Sequence, residues 1–94
     1  MSMNKKYYWV YILLCNNNFY YTGYTSDLMK RYDAHLNGVA SKYTRSFKPL
    51  KIAQHWKMND KSLAMRYEIA IKKLSRKNKE KIIAKPELLH ELIV

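Results

Sequence analysis

The chain carries one cysteine in 94 residues. Cys15 therefore has no partner for an internal disulfide and no second thiol for a metal-ligand cluster. It reads as a small buried hydrophobe. Glycine and proline occur twice each, and no linker, repeat or low-complexity tract divides the chain. No apolar run approaches the roughly 20 residues that a membrane-spanning helix needs. The start, MSMNKKYYWVYILLC, has the basic flank and apolar stretch of a secretory signal. It lacks a small-residue cleavage site, and its apolar run is aromatic and β-branched, which suits a strand. The expectation is a cytoplasmic protein with no membrane contact. Acids are the other scarcity: 7 Asp and Glu stand against 18 Lys and Arg, a net charge of +11. Positive charge is the less effective choice for solubility alone. The imbalance points instead to a polyanion.

A hydrophobic fraction of 48% supports a folded core, and the length suits one domain over residues 1–94. Tyr7 to Leu14 reads as a strand whose two alternating sets are both apolar, hence central in its sheet. Asn16 to Asn18 reads as a turn, and Phe19 to Tyr24 as the returning strand. Ser26 is the expected N-cap of a helix from Asp27 to about Leu36, with Leu28, Tyr32 and Leu36 as its buried stripe and Gly38 just past its end. SKYTRSFKP reads as a basic loop, and LKIAQHWKM as a third strand. Asn59 or Asp60 caps a second helix from about Lys61 to Ser75. Leu63, Tyr67, Ala70, Ile71 and Leu74 face the core from it. The remainder reads as one or two short helices broken before Pro86. The expected fold is α+β, a three-stranded antiparallel sheet flanked by helices in the order β-β-α-β-α-α.

A two-residue hairpin loop would put Tyr11 and Tyr21 on opposite faces, whereas a three-residue loop at Asn16 to Asn18 pairs Cys15 with Phe19 and odd positions with odd positions. Tyr11, Leu13, Tyr21 and Gly23 then share one face, with Tyr11 opposite Gly23 and open space above the glycine. Arg31 and His35, four apart, stand on one side of the first helix near that face. Glu68 is an isolated acid on the flank of the second helix.

These features resemble the GIY-YIG nuclease superfamily. The resemblance rests on WVY at Trp9 to Tyr11, YTG at Tyr21 to Gly23, the arginine and histidine in the next helix, and the glutamate in the later one. SKYTR, the Pro49-Leu50 pair and KSLAMRYEIAIKKLSRKNKEKII resemble its small single-domain bacterial branch of YhbQ-like proteins. The resemblance spans Tyr8 to Ile83. It implies catalytic or phosphate-facing roles for Tyr11, Tyr21, Arg31, His35 and Glu68, with Mg²⁺ or Mn²⁺ on Glu68. Trp9 stands where the motif has its first glycine, and the late asparagine of many superfamily members has no clear counterpart.

Phosphodiester hydrolysis needs an activated water, positive charge for the phosphorane and relief for the leaving oxygen. On this reading Tyr11 is base or water-positioner, its phenol pKa lowered by Arg31 and a metal. Tyr21 is its partner and Arg31 grips the phosphate. Glu68 holds the metal, and His35 is the alternative base. Lys42, Tyr43, Arg45 and Lys48 suit backbone contact and base stacking. The bases from Lys72 to Lys81 form a general electrostatic surface. The expected activity is a metal-dependent endonuclease on DNA, with RNA as a second candidate and DNA repair or processing as its setting. The alternative is a non-catalytic nucleic-acid-binding domain on the same fold. Plainer roles compete at each position. The tyrosines are also ordinary cross-strand packing, Arg31 and His35 a solvated helix edge, and Glu68 a partner for Lys72. His55 and His90 read as structural or exposed, without identified partners.

A polyanion contact carried by many bases predicts binding that weakens steeply with salt. Lys42→Glu with Arg45→Glu should lower affinity for oligonucleotides of any sequence and flatten the salt slope by about 2. Titration by fluorescence anisotropy at several salt concentrations measures both; an unchanged slope would exclude that segment as contact surface.

Overall fold

The computed structural model describes residues 6–93; the basic flank of the signal-like start lies mostly outside them. Strand β1 (Tyr8–Cys15) has both alternating sets buried, because it is the middle strand in the order β2-β1-β3. β2 (Tyr20–Thr25) and β3 (Pro49–Met58) flank it, both antiparallel. The turn from β1 to β2 closes with Cys15 N donating to Phe19 O (2.9 Å) and Asn18 N donating to Cys15 O (2.9 Å). Asn18 takes a φ of 68°, the left-handed conformation that asparagine tolerates. The loop length sets the register, with Tyr11 opposite Gly23 and Leu13 opposite Tyr21.

Helices cover both sheet faces. On one face lie α1 (Leu28–Leu36) and α2 (Lys42–Ser46), enclosing Tyr11, Leu13 and Cys15 with Leu28, Tyr32 and Tyr43. On the other lie α3 (Lys61–Lys72), α4 (Arg76–Ala84) and α5 (Leu89–Ile93). Val10, Ile12 and Met58 meet Ala64, Ile71, Ile82 and Leu89 there. A single 3₁₀ turn, Pro86–Leu88, stands at the expected proline break. Trp56 Nε1 donates to Pro86 O (2.9 Å) and Gln54 Nε2 to Ile83 O (3.0 Å), which ties the C-terminal helices to β3.

The three-stranded α+β architecture agrees with the sequence reading, with four local corrections. The N-cap of α1 is Asp27, not Ser26: its carboxylate accepts from Lys30 N (3.1 Å), while Thr25 Oγ1 accepts from Asp27 N. The basic loop contains α2, because Ser41 Oγ accepts from Thr44 N and Thr44 is driven into the core. α3 ends at Lys72 rather than Ser75, because Ser75 caps α4. Among the histidines read as unpartnered, His90 Nδ1 bonds Tyr67 Oη (2.6 Å) and His55 meets Trp9 edge-on.

The space above Gly23 is not open. The Tyr11 ring fills it: a Cβ on Gly23 would lie 2.5 Å from Tyr11 Oη and 2.7 Å from Cζ. Alanine in place of a strand glycine normally helps. Here Gly23→Ala should destabilise by about 1–3 kcal/mol through overpacking. Urea unfolding measures this, and an unchanged or raised midpoint would show that the phenol can move aside freely.

Candidate active site

Tyr11 ends in the core rather than at the surface. Its side chain and that of His35 are fully buried or nearly so, and Tyr11 Oη lies 2.7 Å from His35 Nε2. Two further links continue the chain behind the imidazole. His35 Nδ1 is 2.7 Å from Thr44 Oγ1, and Thr44 Oγ1 is 2.8 Å from Ser41 Oγ. Both imidazole nitrogens are thus engaged, and α1 and α2 are joined through them. The tautomer that fits a phenol donor has Tyr11 O–H donating to Nε2 and Nδ1–H donating to Thr44 Oγ1.

Burial disfavours charge on both groups. The His35 pKa falls from 6.5 to about 4, first through desolvation and then through Arg31 nearby. The Tyr11 phenol is pushed well above its usual 10 by desolvation, with Tyr21 adding to the rise and Arg31 opposing it. Arg31 alone does not bring Tyr11 down as a base, because loss of hydration outweighs one guanidinium; the sequence expectation joins a metal to Arg31 for that task. His35 has no exposed atom from which to meet a water. Its reading as a directly acting base gives way to a place behind Tyr11.

Tyr11, Tyr21, Arg31 and Glu68 line one open cavity of about 400 Å³. The hairpin supplies the phenols, α1 the guanidinium and α3 the carboxylate. Tyr21 packs edge-on to His35, with ring centroids 5.1 Å apart, and lies against the Tyr43 ring at 6.0 Å. Glu68 also pairs with Lys72 at 3.5 Å, as the plainer reading had it. The pair is half-exposed on its lysine side, which keeps it weak, and the carboxylate stays at the cavity wall. Among the described residues no group of three His, Cys, Asp or Glu could hold a metal. The donor set is one carboxylate beside phenol oxygens. That suits a hard ion such as Mg²⁺, which keeps most of its waters and takes few protein ligands. It does not suit a Zn²⁺ site.

Three contributors escaped the sequence reading. Lys61 opens α3 and lines the cavity. A lysine in a helix's first turn opposes the helix dipole, and that local conflict was the available signal. Indeed α1, α2, α3 and α4 all lack an acid in their first turn. Thr44 and Ser41 were hidden in a segment read as a loop. The four residues assigned to nucleic acid separate. Tyr43 stands beside Tyr21, Lys42 and Arg45 line a different hollow with Gly38, and Lys48 Nζ reaches Leu36 O at 3.4 Å.

The GIY-YIG catalytic domain matches residues 7–81 as a sequence family. The chain belongs to the GIY-YIG family. A UPF0213 protein of Listeria innocua is 43% identical over 77 residues, 82% of this chain and 86% of that protein. One from Xanthomonas axonopodis is 40% identical over 83 residues, 87% and 81% of the two chains. The solution NMR structure of a UPF0213 protein from Bacillus halodurans, 40% identical, covers 83% of each chain with a TM-score of 0.54. GIY-YIG membership places the protein in a nuclease superfamily. No described helix is long and apolar enough to cross a membrane.

The histidine predicts a pH signature. Its folded pKa of about 4 lies below the free value of 6.5. Between these values the unfolded chain binds a proton that the folded chain refuses, so stability falls as pH drops through that window. The melting temperature should be lower at pH 5 than at pH 7. His35→Gln should be less stable at pH 7 yet show a smaller pH difference, read by thermal circular dichroism. An equal difference in the variant would assign the effect to other groups.

Proposed function

We propose that this GIY-YIG protein is a metal-dependent endonuclease that hydrolyses phosphodiester bonds in DNA, with RNA a second candidate. Its whole chain acts as one catalytic domain in the cytoplasm, in DNA repair or processing. The observation that supports this most is the meeting of Tyr11, Tyr21, Arg31 and Glu68 around one cavity, from three separate elements. Packing alone has no use for a guanidinium and a carboxylate facing two phenols.

Arg31 forks onto the non-bridging oxygens of the phosphate and Lys61 adds charge from the opposite element. Tyr11 donates to His35 and keeps lone pairs toward the cavity, so it accepts a hydrogen bond from the attacking water and orients it. As water attacks phosphorus, its proton passes to Tyr11 while the phenol proton passes to His35 Nε2. Thr44 stabilises the resulting imidazolium by accepting from Nδ1–H. The bound phosphate offsets Arg31, which removes one of the two causes of the low His35 pKa. Tyr21 packs against the imidazole and holds its plane. Glu68 would hold a divalent ion, which supplies Lewis-acid stabilisation of the leaving oxygen when bound.

Glu68→Gln separates this chemistry from charge attraction. The variant is more positive, so oligonucleotide affinity should hold or rise, while plasmid nicking in Mg²⁺ or Mn²⁺ should fall at least a hundredfold, about the loss of one strong transition-state interaction. Arg31→Ala should lose cleavage and some affinity together. Wild-type nicking by Glu68→Gln would make the carboxylate structural. Tight binding without cleavage of any substrate by the wild type would leave the binding-domain alternative.

A further inference from the structure

Among the described residues β2 pairs with one strand only, and beside the cavity at its Gly23 end lies a second groove of about 370 Å³, lined by Phe19 to Thr22 from the start of the same strand. Tyr21 is common to both. One part of this groove is aromatic, from Phe19, Tyr20 and Tyr43, and the other basic, from Lys72, Arg76 and Lys79. Glu68 faces the first cavity and Lys72 the second. They are four residues apart on α3, about one turn or 5.4 Å of rise. A chain of phosphates held at Arg31 in the first cavity therefore meets the second groove as its next element.

The groove's chemistry selects among polyanions. Phe19 is 59% exposed at the hairpin end. An apolar ring at the rim of a basic groove gains nothing from a duplex, which turns phosphates outward and keeps its bases stacked. An unpaired base offers a flat apolar face that such a ring can stack on. The Tyr43 ring, in the same groove, is held by three neighbours. Tyr43 lies against Tyr21, tilts against Phe47 at 5.3 Å, and accepts from Asn17 Nδ2 at 2.8 Å. Arg76 is committed to the wall, 4.6 Å above the Tyr20 ring and donating to Asn18 O at 2.7 Å. Lys79, and the half-exposed Lys72 beside its weak pair with Glu68, are the cations placed to meet phosphate.

We propose that this groove is a subsite for an unpaired nucleotide adjacent to the scissile phosphate. Its base stacks on Phe19 and Tyr43, and its phosphate meets Lys72 and Lys79. The proposal deepens the nuclease reading and rests on it for the position of the cut. It makes the substrate class nucleic acid that is single-stranded next to the cleavage point, such as a flap, a gap or a free strand.

The test reads binding in EDTA, with the full chain, so that cleavage plays no part. The probes are a single-stranded oligonucleotide carrying 2-aminopurine and the fully paired duplex of the same sequence. Wild type should quench the single-strand fluorescence and leave the duplex signal unchanged. Phe19→Ala should weaken single-strand binding about tenfold, within the range for loss of one stacking ring, abolish the quench, and leave duplex affinity unaltered. Phe19→Leu, which keeps apolar bulk without a π face, should behave like alanine. Phe19→Trp should restore binding and quench, which excludes a folding defect as the cause. Lys79→Ala should lower the single-strand salt slope by about 1. Retained quenching in Phe19→Ala, or an equal loss on duplex, overturns the subsite. Plasmid nicking, run separately, judges the nuclease reading. Lost subsite behaviour with nicking intact removes only this inference, and intact stacking without nicking removes only the nuclease.

Discussion

The bond between Tyr11 Oη and His35 Nε2, 2.7 Å long and closed to solvent, is the constraint on which the rest of the site depends. It joins the central strand to α1, and through Thr44 to α2. A buried polar pair is costly when unmet and specific when met. That is why Gly23 must lack a side chain: the phenol reaches the imidazole only by lying across the neighbouring strand. It is also why the cavity holds Tyr11 as a neutral hydrogen-bonding group. The same burial that fixes its position raises its pKa.

Around this neutral centre the charge is arranged at the rim. Arg31, Lys61 and Glu68 reach the cavity from helices on both sheet faces, and the free edge of β2 is where those two layers meet. A central strand could not have offered such a site, since β1 is covered on both sides and paired along both edges. The first turns of four helices lack an acid, against the dipole preference, although Asp27 and Asp60 cap α1 and α3.

Much of the fold was legible in the sequence because its strongest signals are local. Two apolar sets in β1, an asparagine turn and helix caps with periodic stripes each express a short-range rule. What escaped also has a common cause. Asp27 and Ser26 are both acceptable caps, and only the bend held by Thr25 chose between them. α2 has five residues, too few for a periodic pattern, and it forms because Thr44 is satisfied by His35. Ser75 could have continued one helix, and it caps the next.

The sequence by itself narrowed the hairpin to two parities, and the observed three-residue loop selected the one in which Tyr11 and Tyr21 share a face. It also determined the strongly basic charge balance, +11, with one isolated acid on α3. Only the tertiary structure decided which groups are wet. It sent His35 inward behind Tyr11, set Tyr43 against Tyr21, parted Lys42 and Arg45 from the cavity, and brought Lys61 to it. Those choices depend on how α1, α2 and α3 pack against the sheet. Desolvation, which sets the protonation of Tyr11 and His35, is a property of that packing and of no short stretch of chain.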